Sequence, residues 1–199
     1  MLQSIAVNNC LRHLPLAGRN KGPVFVFGIV FLAALAFSHA SFSLAASLEY
    51  RVKAAFLYNF TRFIEWPDTD KTNASFIIGV IGKDPFGQEL TSLAGKQING
   101  KNLIIRKFTK TEELNACHIL FISSSAKSHI KNILKATKGR PTLTVGDTDG
   151  FAQKGVIINF YEDKNKIRFE INLAAADQIG LVVSSRLLKL ARIVEDNGN

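Results

Sequence analysis

Asp147 and Asp149, one residue apart in Gly146-Asp-Thr-Asp-Gly150, are a carboxylate pair just past an apolar run. Two such groups could hold a hard cation through oxygen ligands. A calcium loop also needs further acidic or amide ligands and a distal Glu, which do not follow here. Asp and Thr at such a place equally hydrogen-bond the backbone of a fixed turn, and the structured turn is the preferred reading. Gly79-Val-Ile-Gly-Lys-Asp-Pro-Phe-Gly87 is a second candidate, because glycine-rich links from strand to helix bind phosphates in doubly wound folds. No Lys-Ser/Thr pair follows Gly87, and the glycine spacing is not the dinucleotide fingerprint. Pro85 also removes one N–H that an anion would use. Turn glycines and a helix start are the simpler reading.

Nucleophilic catalysis needs a nucleophile, a base and an orienting group. Ser123, Ser124 and Ser125 follow a strand, but no nucleophile-elbow sequence surrounds them. Beyond the first 45 residues the histidines are His118, inside an apolar run, and His129, on a helix face. Two histidines and one cysteine give no zinc spacing. Cys117 heads Cys-His-Ile-Leu-Phe-Ile122, where a buried thiol acts as a small hydrophobe. No catalytic residue, metal site, cofactor or disulfide is expected, and enzyme activity is disfavoured.

The elements that must position these groups alternate. Tyr50 to Trp66 reads as an amphipathic helix with Val52, Phe56, Phe60 and Phe63 at helical spacing; Arg51, Lys53, Asn59 and Arg62 lie elsewhere around it. It must stop by Trp66, since Pro67 disfavours the helical region for its predecessor. Asp68 to Ser75 is a polar loop. Phe76–Ile81, Leu103–Arg106, His118–Ile122 and Thr142–Val145 read as strands. Asp84-Pro85 opens a helix carrying Phe86, Leu90 and Leu93, and Ser124 or Ser125 caps another with Ile130, Ile133 and Leu134. Val156–Tyr161 and Ile167–Ile171 flank a polar turn as an antiparallel hairpin. Asn172 caps a small helix, and Ser184 starts a last helix with Leu187, Leu190, Ala191 and Val194 on one face. Such alternation implies an α/β fold: a three-layer Rossmann-like sandwich on a mostly parallel sheet, with the hairpin as an antiparallel edge.

The first 45 residues contain Arg12, Arg19 and Lys21, no acid, and an apolar run from Val24 to Phe37. That is the layout of a secretory signal, with Ser43-Leu44-Ala45 the preferred cleavage site and Ser38-His39-Ala40 the second. The uncharged stretch between Val24 and Leu48 would also span a bilayer, so an uncleaved membrane anchor is the alternative. Residues 46–199 then form one domain. Of 25 Lys and Arg against 16 Asp and Glu, the leader takes three bases, and the rest is modestly basic. The excess is spread along the chain, whereas nucleic-acid binding needs a clustered stripe. Cys10 leaves with the leader, so Cys117 has no partner within the chain.

Several of these segments together resemble the YfiR family. They are Phe63-Ile-Glu-Trp-Pro67, Ile78 to Gly87, Cys117 to Ser123, Gly139-Arg-Pro-Thr-Leu-Thr-Val-Gly-Asp147-Thr-Asp149, Ile157-Ile-Asn-Phe160, Arg168-Phe-Glu-Ile-Asn-Leu173 and Ser185-Arg-Leu-Leu-Lys-Leu-Ala191. The resemblance covers essentially all of the chain after the leader. It implies a periplasmic, dimer-forming α/β protein that binds the sensor domain of an inner-membrane diguanylate cyclase and restrains it, lowering cyclic di-GMP and disfavouring biofilm. Family members carry disulfides, but Cys117 lacks the other thiols here. The expected partner contacts are Phe56, Phe60 and Trp66 on the first helix, with Arg168 and Glu170 on the solvent face of the hairpin. The alternative is a periplasmic small-molecule sensor acting with a membrane receptor or histidine kinase. Its ligand would sit on the loops of Gly82, Ser124, Asp147 and Asp149, at the carboxyl ends of the strands.

Overall fold

The computed structural model describes residues 47–67 and 75–195, apart from the side chains of Asn115 and Ala116. The leader with both cleavage sites and most of the polar loop lie outside the described residues. Apolar runs bounded by turn residues become a sheet covered on both faces. Its strands are β2 (Ser75–Ile81), β3 (Gln97–Ile98), β4 (Lys101–Phe108), β5 (Ile119–Ile122), β6 (Leu143–Gly146), β7 (Ile158–Asp163), β8 (Lys166–Asn172) and β10 (Arg192–Val194). They lie in the order β10-β8-β7-β6-β5-β2-β4-β3. Pairing is parallel from β4 through β2, β5 and β6 to β7, and β7–β8 is the antiparallel hairpin. The expected α/β sandwich is what forms.

Strand alternation divides the core in two. Ile78, Val80, Ile119, Phe121 and Val145 point to one face, where helix α1 (47–60) packs Ala54, Leu57 and Phe60 against them. Ile81, Leu120 and Ile122 point to the other, under α3 (Ile130–Thr137) and its Ile130 and Ile133. Gly79 takes its place in this second face because a Cβ there would stand 2.4 Å from the Phe108 ring and 2.7 Å from Cys117 Sγ.

Four elements differ from the sequence expectation. Helix α1 ends at 60, and Ile64–Glu65 (β1) pairs antiparallel with Val182–Val183 (β9), because a second segment is available to satisfy its backbone. Asp84 does not cap a helix: its Oδ1 accepts from Phe86 N–H at 2.8 Å in a turn, and helix α2 is only Gln88–Thr91. Neither Ser124 nor Ser125 caps α3, which follows a 3-10 turn over Ser124–His129. The last helix, α5 (Ser185–Leu188), is a single turn, and Arg192–Val194 instead forms β10, parallel to the open side of β8. The hairpin therefore carries one more strand outside it. Asn172 does cap α4 (Leu173–Asp177), accepting from Ala175 N–H at 2.9 Å.

Candidate functional site

Carboxyl ends of parallel strands are where such folds gather ligand groups. Gly82, past β2, and Ser123 to Ser125, past β5, do meet there. Gly82 adopts φ +92°, and a Cβ on it would lie 2.7 Å from Ser125 Oγ. That hydroxyl accepts from Lys83 N–H at 2.8 Å, so the turn donor an anion would need is already taken by the chain. Ser124 itself is exposed. A shallow groove of about 360 Å³ opens beside Gly82 and Ser125, lined further by Lys110, His129 and Asn132.

Asp147, past β6, points toward α1 rather than outward. Its Oδ2 accepts from Lys53 Nζ at 2.8 Å and from Tyr50 O–H at 2.9 Å. Both charged side chains are about 5% exposed, and Glu49 approaches the same ammonium at 2.5 Å. Burial, then the Asp147 charge, raises the Tyr50 phenol, so it stays protonated and donates. Asp149 is exposed in the same turn. Asp147 thus anchors helix α1 through two side chains rather than bonding the backbone of its own turn, as the sequence led one to expect. Among the described residues no group of three or more His, Cys, Asp or Glu could hold a metal.

Lys53 was expected away from the apolar face. It is buried because the inward stripe runs through positions 50, 53, 54, 57, 60 and 61, leaving Val52 outside. A buried ammonium is tolerated only with partners, and Asp147 supplies one. Reading the stripe from Leu57 rather than Val52 would have found it.

A second polar row crosses the other face. Gly146, Asn159, Glu170 and Arg192 are register neighbours on β6, β7, β8 and β10. Asn159 Oδ1 accepts from Thr148 N–H at 3.2 Å, and its Nδ2 donates to Glu170 Oε1 at 3.3 Å. Arg192 Nε donates to Glu170 Oε2 at 3.1 Å, and its Nη2 pairs with the same oxygen. The guanidinium also lies 4.2 Å from the Tyr161 ring centre. These bonds to the carboxylate raise the Arg192 pKa. Gly146 is required beneath the row, since a Cβ would be 2.5 Å from the Phe151 ring and 3.2 Å from Asn159 Oδ1. Sequence reasoning did not find Asn159 or Arg192, because strand register alone brings them to Glu170.

The expected contact residues divide. Phe60 is buried, stacked on Phe160 at 5.9 Å and edge-on to Phe169 at 5.4 Å. Phe56 is half-buried against the same two rings, and half-buried Trp66 packs edge-on to Phe76. Arg168 is exposed, but Glu170 is 2% exposed, which corrects the expectation of a solvent face for it. β8 is not the outermost strand, and Arg192 of β10 neutralises that carboxylate. Since Phe169 faces α1, alternation places Arg168 and Glu170 on the opposite side of the sheet from Phe56. The aromatic and charged regions are therefore separate surfaces.

Cys117 is buried, donates to Ile119 C=O at 2.7 Å, and burial pushes its thiol up to about 12. His118 is stacked on Phe76 at 4.4 Å and accepts from Ile77 N–H at 2.9 Å, a structural role. His129 is exposed beside Ser128.

A family model described as YfiR/HmsC-like matches residues 50–192. A solved structure, a conserved domain protein from Vibrio cholerae O1 biovar El Tor strain N16961, is similar at 14% identity and TM-score 0.48; the match covers 72% of this chain and 59% of that one. No curated protein matches at a significant level. Among the described residues no helix is long and apolar enough to cross a membrane.

Proposed function

The chain belongs to the YfiR/HmsC-like family of periplasmic regulators, and from that premise we propose that it binds and restrains the sensor domain of an inner-membrane diguanylate cyclase. Lower cyclic di-GMP and less biofilm would follow. The observation that carries this reading is the engagement of the strand-end polar groups by the chain itself: Asp147 holds Tyr50 and Lys53, and Ser125 holds Lys83 N–H. These groups hold the fold, while Phe56 and Trp66 stay partly exposed and Arg168 is exposed. Restraint requires binding the inactive cyclase better than the active one, since equal affinity shifts nothing. Phe56 and Trp66 form one proposed contact region and Arg168 the other; buried Phe60 and Glu170 act by holding those surfaces in place.

The proposal includes an N-terminal signal cleaved after Ala45 and a homodimer built on the open edge of β10. Ile193 in β10 is 50% exposed, and Leu190, two residues before that strand, is 66% exposed. An antiparallel two-fold pairing about Ile193 and Val194 would set Arg192 opposite Glu195 of a second copy, a favourable cross-strand pair.

The test is affinity capture from membranes with cyclic di-GMP measured in a deletion strain. Recovery of a cyclase and a rise in the nucleotide are expected. An unchanged nucleotide level, with no membrane protein recovered, overturns the reading. A second reading, a small-molecule sensor working with a membrane receptor or histidine kinase, draws on the groove beside Gly82 and Ser125.

A further inference from the structure

A different concavity lies at the opposite end of the sheet from the loops just described. It is a groove of about 500 Å³ between α3 and α4, over the starts of β6 and β7. Leu134, Ile157 and Ile179 line its apolar part. Thr142 and Thr144 also line it, but both hydroxyls are turned into the protein. Thr142 Oγ1 donates to Cys117 C=O at 2.8 Å, and Thr144 Oγ1 accepts from Ile157 N–H at 3.0 Å. Both hydroxyls are therefore engaged within the chain, and Gln178 adds an uncharged amide to the lining.

The margin is different in kind. Lys135 and Lys138 come from the end of α3, and Lys154 from the 3-10 turn Ala152–Lys154 across the groove. No carboxylate lines the groove. All three lysines are exposed. The volume of the whole groove is within the range that takes a small molecule, about 300–1,000 Å³. A margin of one sign selects the ligand's charge and steers its approach.

We propose that this groove binds a small amphipathic anion, a carboxylate or phosphate head on an apolar body, with the head among Lys135, Lys138 and Lys154 and the body on Leu134, Ile157 and Ile179. Charge complementarity selects this class. A neutral apolar ligand would leave the lysines without a role, and a cation would be repelled. The site goes beyond the cyclase reading and does not depend on it. Ile157 abuts Ile158, whose neighbour Asn159 belongs to the polar row, so occupancy is adjacent to the strand that carries Glu170's partner.

The test uses the purified chain with decanoate as probe, and decyl glucoside and decyltrimethylammonium as neutral and cationic controls. Calorimetry gives the affinity and amide chemical shifts give the place. Saturable one-to-one binding of decanoate is expected, weakening with added salt, with shifts centred on Leu134, Ile157 and Ile179. The triple variant Lys135→Gln/Lys138→Gln/Lys154→Gln should lose at least about tenfold in affinity, or ~1.4 kcal/mol. These lysines are exposed, so its unfolding midpoint should match the parent's. A second variant, Ile179→Gln, should weaken decanoate while sparing the response to salt. Equal binding of decyl glucoside, unchanged affinity in the triple variant, or shifts located elsewhere would overturn the proposal. So would binding of an acidic peptide with no decanoate binding, which would assign the groove to a protein partner.

Discussion

At the scale of single residues the buried Lys53–Asp147 pair is the feature with the clearest consequence. Removing one member strands the other inside, at a cost of about 3–5 kcal/mol. Glu49, 2.5 Å from the ammonium, offsets part of that for Asp147→Asn. Asp147→Asn should therefore destabilise toward the low end of that range, read as a lower urea midpoint. The double change Lys53→Met/Asp147→Leu should recover most of the loss, because an apolar pair needs no desolvation. Gly79→Ala and Gly146→Ala should each cost about 1–3 kcal/mol by overpacking against a ring. Cys117 makes a pH prediction. Its folded pKa, about 12, stands above the ordinary thiol value of 9.0, so the unfolded chain loses the proton first. Stability from this group is complete below about pH 9 and falls as pH rises toward 12. Native Cys117 should accordingly resist alkylation at pH 8 and react at once in urea; rapid labelling without denaturant would contradict its burial.

At the scale of elements, α1 is tied to the end of β6 through Asp147, and β10 to β8 through Glu170. The polar row makes β10 more than an appended strand, because Arg192 supplies the cation that lets Glu170 lie buried. Arg192→Ala should leave that carboxylate without its cation, destabilise by a few kcal/mol and loosen β10, visible as faster amide exchange at Ile193 and Val194. If β10 is the dimer edge, Ile193→Lys should shift sedimentation to monomer with little change in unfolding, since Ile193 is half exposed. An unaltered dimer would move the interface elsewhere. The elements themselves were largely legible. Ile78, Val80, Ile119 and Phe121 sit in short apolar runs too brief for helices, and Asn172 stands where a cap belongs. What misled were Ile64–Glu65 and Arg192–Val194. Both continue a helical pattern locally and become strands only because an unpaired backbone waits beside them.

At the scale of the molecule, the proposed action is selection between two states of a partner. Phe56 and Trp66 lie on one side of the sheet and Arg168 on the other, so substitutions should separate. Trp66→Ala and Arg168→Glu are each expected to raise cyclic di-GMP in cells, but only if both surfaces are engaged at once. If one alone acts, its face is the docking face, and the ratio of nucleotide levels decides between them. A tenfold loss of preference for the inactive state corresponds to ~1.4 kcal/mol.

Hydropathy patterning by itself determined the sandwich, the hairpin and the buried thiol. Each of these follows from short-range order, where alternation or a turn residue states its own outcome. Only the tertiary structure decided that Lys53 turns inward to Asp147, that Asn159, Glu170 and Arg192 form one row, and that three lysines rim an apolar groove. The bonded pairs are joined across 94, 11 and 22 positions of chain by register and packing. Such neighbours are set by which strand edges find one another, and no local period records that choice.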